Sequence, residues 1–143
     1  MITIQAIDHV VFRVTDLQAV SRFYIGVLGT RWEKKQEDIG LYQLRVGTAL
    51  IDLVPVEGKL GRMGGAAPSA EGRNVDHVCF RVLPWDGGEI LGHLLEHGIE
   101  AEIVKRYGAQ GDGPSIYLSD PEGNVLELKG PPWAPIGNQE RKQ

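Results

Sequence analysis

The sequence predicts an α+β fold: two βαβββ repeats whose strands form a curved mixed sheet around a cavity. Three observations carry this expectation. "DHVVFRV" at 8–14 and "DHVCFRV" at 76–82 agree at six of seven positions. Each is followed by a capped stretch with apolar residues at helical spacing. "ALIDLVPV", ending the first half, resembles "NVLELKG", ending the second, which aligns Asp52 with Glu127. A duplicated unit accounts for all three.

In the first unit, residues 7–14 alternate, so His9, Val11 and Arg13 share one face and Val10, Phe12 and Val14 the other. Asp16 is placed to cap a helix. Leu17, Val20, Phe23, Tyr24, Val27 and Leu28 recur along one side of it until Gly29 ends it. Strands follow at 31–36, 41–46 and 49–55, separated by Gly40 and Gly47. The first unit thus covers 1–56. Residues 57–74 lose periodicity in "EGKLGRMGGAAPSAEGRN" and are expected to be a linker or lid. The second unit, 75–130, restarts with a strand at 75–83 and a helix from Asp86, where Glu89 suits a capping box and Gly98 a stop. Its remaining strands are expected at 100–105, 115–119 and 124–129. The glycine-rich "YGAQGDGPS" at 107–115 is read as a substrate-side loop that absorbs extra length. Residues 131–143 form a proline-rich tail, loosely attached, with Trp133 docked on the body.

Composition narrows the function. With 42% hydrophobic and 24% charged residues, and no apolar run near the roughly 20 residues a membrane span needs, no membrane role is expected. The N-terminus lacks a secretory pattern, so the cytoplasm is the expected compartment. Cys79 is the only cysteine, which rules out an intrachain disulfide and a cysteine-built zinc site. A net charge of −4 without a basic cluster argues against nucleic acid, leaving a small-molecule partner.

Each half carries a histidine at the start of its first strand and a carboxylate in its last, 43 residues apart (9 to 52) and 50 apart (77 to 127). If the halves pair about a pseudo-twofold axis, His9, His77, Asp52 and Glu127 converge. Two imidazoles and a carboxylate with open positions suit a divalent ion: Fe2+, Mn2+, Ni2+ or Zn2+. The histidine face also carries Arg13, Arg81 and Lys129, a poor choice for a dry core and a good one for a wet cavity. "HLLEH" at 93–97 matches an inverted zinc-protease pattern, but its histidines lie off the expected apolar stripe of Ile90, Leu91, Leu94 and Leu95.

"DHVVFRVTDLQAVSRFYIGVLG", "DHVCFRV" and "SIYLSDPEGNVLELKG" resemble the vicinal oxygen chelate superfamily, which includes glyoxalase I, fosfomycin-resistance transferases, extradiol dioxygenases and bleomycin-binding proteins. The resemblance covers about residues 5–130 and is greatest to small glyoxalase-domain proteins of undefined substrate. It implies His9, His77 and Glu127 as metal ligands, with Asp52 at the position of glyoxalase I's fourth ligand and base. Aspartate is one methylene shorter, a loss of about 1.3 Å of reach, so Asp52 is expected either to ligate or to act as a base behind the ligands. Arg13 matches a glutathione-contacting arginine, whereas Val56 replaces that enzyme's tripeptide-binding asparagine; Arg81 is expected to bind an anionic group. The implied activity is a glyoxalase-like lyase or isomerase, with Asp52 or Glu127 moving a proton. The alternatives are a ferrous extradiol-type dioxygenase and a metal-free, drug-sequestering protein of the bleomycin-resistance kind. A homodimer is expected, each site taking His9 and Asp52 from one chain and His77 and Glu127 from the other.

Overall fold

The computed structural model of the chain describes residues 1–133. Its elements run β1 (His9–Val14), α1 (Leu17–Gly26), β2 (Arg31–Gln36), β3 (Leu41–Val46), β4 (Ala49–Pro55), β5 (His77–Arg81), α2 (Gly87–Glu96), β6 (Ile103–Gly108), β7 (Gly111–Ser119) and β8 (Val125–Lys129), with a 3-10 turn at Gly61–Gly64. The chain divides into Met1–Arg73 and a second unit from Asn74 onward. Each is βαβββ, as the repeat predicts. Among the described residues no helix is long and apolar enough to cross a membrane.

The first unit holds one mixed sheet of order β1-β4-β3-β2. β1 pairs with β4 in parallel and β3 with both neighbours antiparallel. Asp16 caps α1 by accepting from the Ala19 amide at 2.9 Å, an interaction worth about 1 kcal/mol. Val20, Phe23 and Tyr24 of the helix bury against Phe12, Val14, Leu44, Ile51 and Leu53 of the sheet, the apolar side that strand alternation assigns. The start of the expected linker belongs to this unit. Leu60 donates from its amide to Ile39 O at 3.1 Å, and Gly61 packs so closely on Pro55 O that a Cβ there would sit 1.9 Å away.

The second sheet repeats the order as β5-β8-β7-β6, with β5 and β8 parallel. Asp86 caps α2 through the Glu89 amide at 3.0 Å. Leu94, Ile116, Leu118, Leu126 and Leu128 form the apolar core, while Leu95 stays 61% exposed, so the buried stripe of α2 is narrower than expected. The terminal strands are also shorter than the pattern: β1 starts at His9 and β5 spans only His77–Arg81, leaving Ile7, Val75 and Leu83 exposed.

The largest departure is at 107–115. These residues are not a loop: β6 runs to Gly108 and β7 starts at Gly111, so the segment is a tight β-hairpin closed by the Gly108–Gly111 pair. β7 has nine residues where β3 has six, which takes up three of the seven extra residues of the second unit. β6 runs Ile103–Gly108, three residues later than the expected 100–105. Of the expected tail, Trp133 donates from its amide to Asp112 O at 2.9 Å, which docks it on this hairpin; residues 134–143 lie outside the described residues.

Between β7 and β8, "DPEGN" makes a closed turn. The buried Asp120 accepts from the amides of Glu122 and Asn124 at 2.9 Å each and from Asn124 Nδ2 at 2.8 Å, while Gly123 takes φ +79°. The motif therefore sets where β8 begins. Asp120→Ala is expected to lower stability by about 1–3 kcal/mol because it orphans these donors, and Asp120→Asn, which keeps one acceptor, by less. Urea denaturation of the two variants reads the difference.

Candidate functional site

In the second unit the parallel register places His77 opposite Val125, Cys79 opposite Glu127 and Arg81 opposite Lys129. Alternation puts His77, Cys79 and Arg81 on one face with Glu127 and Lys129, and these side chains line a cavity of about 350 Å³. The tip of the β6–β7 hairpin forms another wall. His77 Nε2 lies 3.1 Å from Glu127 Oε2, and His77 Nδ1 lies 2.7 Å from Asp76 Oδ2. The His77 ring meets that of Tyr117 edge-on at 5.5 Å.

Glu127 is 5% exposed, so its charge has to be compensated locally. Burial pushes its carboxyl up, but the Ser115 hydroxyl, donating to Oε1 at 2.5 Å, outweighs this together with Tyr117, His77 and Lys129, and the net direction is below the usual carboxylate range. This group stabilises the fold above its unfolded value and loses that contribution as pH falls through its folded value. Lys129 Nζ is fixed by Arg106 O at 2.7 Å and by Gly113 O and Ser115 Oγ, each at 3.4 Å. Cys79 shares the face; burial, and then the Glu127 charge, push its thiol up to about 11.

The first unit repeats the register. Val11 lies opposite Asp52, as Cys79 lies opposite Glu127, so the alignment of Asp52 with Glu127 holds in three dimensions. Asp52 is 3% exposed and its two oxygens accept from Gln43 Nε2 at 3.2 and 3.3 Å. His9 Nδ1 lies 2.7 Å from Asp8 Oδ1, and that bond, reinforced by the Asp52 charge, holds the imidazole above its ordinary value.

Arg13 and Arg81 occupy equivalent positions with different surroundings. Arg13 Nη1 donates to Ala66 O at 2.9 Å, and Nη2 to Gly61 O at 2.9 Å and Gly65 O at 2.5 Å. Both amino groups of Arg13, a residue expected to meet substrate, clamp the 61–66 segment. Arg81 lines the cavity.

The donor chemistry fits a hard or borderline divalent ion. Two ligand atoms about 2.1 Å from a common cation at adjacent positions lie about 3 Å apart, and the His77–Glu127 separation of 3.1 Å matches that spacing. In both histidines Nδ1 is engaged by the preceding aspartate, so Nε2 is the nitrogen that would face an ion. Within either unit, no three His, Cys, Asp or Glu side chains among the described residues gather tightly enough to hold an ion unaided. Sequence reasoning missed Asp8, Asp76, Ser115 and Gln43. The first two were available in the repeated "DH" dipeptide; the others emerge only from cross-strand pairing.

Comparison with known proteins agrees with the fold. Residues 6–128 match the family model of the Glyoxalase/Bleomycin resistance protein/Dioxygenase superfamily. The virulence protein STM3117 of Salmonella typhimurium is 26% identical over 132 residues, covering 87% of this chain and 83% of that protein. Its crystal structure superposes with a TM-score of 0.73, at 28% identity over 91% of this chain and 99% of the other. The glyoxalase domain-containing protein RDO1 of Mycosarcoma maydis is 29% identical over 131 residues, covering 89% of this chain and 69% of that protein. Lactoylglutathione lyase from Agrobacterium tumefaciens shares the fold, with a TM-score of 0.61 at 22% identity over 87% of this chain and 92% of the other. With a βαβββ unit in each half and residues 6–128 matched, the protein belongs to the Glyoxalase/Bleomycin resistance protein/Dioxygenase superfamily.

Proposed function

We propose that the protein is a divalent-metal-dependent, glyoxalase-like lyase or isomerase, acting on a small substrate that offers two neighbouring oxygens. The supporting observation is the same arrangement in both units: a histidine steered through Nδ1 by its preceding aspartate, and a buried carboxylate on the adjacent strand. His9, His77 and Glu127 hold the ion, drawn from both halves of one chain or exchanged between the chains of a homodimer. When bound, the ion supplies Lewis-acid polarisation of the substrate oxygens. Asp8 and Asp76 fix the imidazole tautomers, and Ser115 orients the Glu127 carboxylate. Asp52 takes the proton next to the carbonyl and returns it to the neighbouring carbon. Its suitability lies in its partner, since Gln43 donates to both oxygens without neutralising them, whereas Glu127 is committed to Ser115 and His77.

Protein prepared with excess Mn2+, Ni2+ or Zn2+ is expected to retain about one ion per chain, and His77→Ala or Glu127→Ala to lose it. Elemental analysis decides this, and an empty wild-type protein overturns the reading. With the ion present, turnover of hemithioacetals made from several thiols is expected to fall about 10²–10⁴-fold in Asp52→Asn at unchanged metal content. Because the raised His9 proton competes with the cation, metal uptake weakens as pH falls through that raised value.

Cys79 reports on the same centre. In metal-free protein its alkylation by iodoacetamide is expected to be slow at pH 8 and to climb toward an inflection at about 11. A cation beside Glu127 offsets the carboxylate charge that raises the thiol and shifts the profile to lower pH. An unshifted profile in metal-loaded protein counts against an ion at Glu127.

A further inference from the structure

We propose that the substrate carries, besides its two chelating oxygens, a second and terminal anionic group, a carboxylate or a phosphate, which Arg81 binds. This deepens the metal-dependent reading and rests on it. The cavity face of β5 and β8 is a ladder of three rows: His77 with Val125, Cys79 with Glu127, and Arg81 with Lys129. Successive rows on one face are about 6.6 Å apart. Ligands therefore occupy the first two rows and two cations the third. A molecule chelated near Glu127 meets positive charge a few bonds further on, and the cavity of about 350 Å³ suits a metabolite of that length.

The two cations differ in what they can do. Lys129 already donates to Arg106 O, Gly113 O and Ser115 Oγ, so it contributes field rather than contact. The Arg81 guanidinium makes no hydrogen bond or ion pair with any other described residue, yet it lines the cavity. Its planar fork is suited to a bidentate carboxylate or phosphate. The duplicate sharpens the point. At the equivalent position both amino groups of Arg13 donate to the carbonyls of Gly61, Gly65 and Ala66, whereas around Arg81 the chain leaves an open cavity. One arginine of the pair is structural and the other faces a ligand-sized space. Gly108 keeps that space open beside Lys129, because a Cβ there would come within 2.5 Å of Lys129 Cε.

The test uses matched probes on Mn2+-loaded protein by calorimetry: 2-oxoglutarate against 2-oxobutyrate for a terminal carboxylate, and 3-phosphoglycerate against glycerate for a terminal phosphate. The terminal anion is expected to tighten binding about ten-fold or more in at least one pair, and Arg81→Gln to remove that gain while the two neutral-ended probes bind as before. The preferred pair identifies the terminal group. No gain in either pair, or a gain that survives in Arg81→Gln, overturns the proposal. A parallel NMR titration of metal-free protein with inorganic phosphate separates the two readings. Shifts at Arg81 Nε–H and the 108–111 amides that vanish in Arg81→Gln uphold the anion subsite even if metal titration shows no ion. Absence of those shifts in wild type, alongside normal metal uptake, leaves the metal reading standing and removes the subsite. An unchanged thermal midpoint in Arg81→Gln verifies that the fold is intact.

Discussion

The parallel pairing of the first strand of each unit with its last is the constraint on which the site depends. It brings a histidine and a carboxylate that are 43 or 50 residues apart in the chain onto adjacent strands, one pleat removed along the same face. A slip of one residue would turn Glu127 toward α2 and Leu126 or Leu128 toward the cavity, burying a charge among leucines. The hydrophobic side of the sheet thus enforces the polar side. In the second unit the enforcement begins before β8, in the Asp120 turn, whose hydrogen bonds determine which residue enters the strand first.

Within that shared frame the halves have diverged in a coordinated way. The first unit folds the 57–66 stretch back onto itself and uses Arg13 to hold it, so the arginine row is filled with protein. The second unit lengthens its β6–β7 hairpin instead, and the tip walls a cavity where the first unit has backbone. The carboxylates follow suit. Asp52 is held by an amide from Gln43, a neutral donor, while Glu127 accepts from a hydroxyl and lies beside an imidazole and in the field of a lysine. One half offers a less committed carboxylate and the other a tightly set one.

Most of the fold was legible because its signals are local. Asp16 and Asp86 stand one turn before the amides they cap, the β2, β3 and β4 boundaries fall at glycines, and Asp52 aligns with Glu127 by pattern alone. What escaped depends on partners distant in sequence. Residues 111–115 contain two glycines and a proline, which read as a loop, yet β7 lies between β6 and β8; Pro114 is tolerated there, its carbonyl still accepting from the Gly130 amide at 2.9 Å. Arg13's clamp needs backbone carbonyls some fifty positions on, and Ser115's role needs the register of β7 against β8. The repeat itself hid the difference between Arg13 and Arg81, since heptads alike at six of seven positions imply like duties and only the flanking segments break the tie.

Glu127 shows why the supporting residues matter as much as the ligands. A carboxylate this buried stays ionised because the fold has already supplied a hydroxyl donor and a nearby ammonium, and that ammonium is itself held by backbone carbonyls. Ser115 and His77 thus hold a desolvated, oriented carboxylate, on which a ligand would impose little further reorganisation. The same lysine lies one row from Glu127 on the cavity face. Two positive centres so close repel unless negative charge lies between them, so on the proposed reading a substrate's terminal anion would balance Lys129 and the ion, and the residues that prepare the carboxylate would also select what enters the cavity.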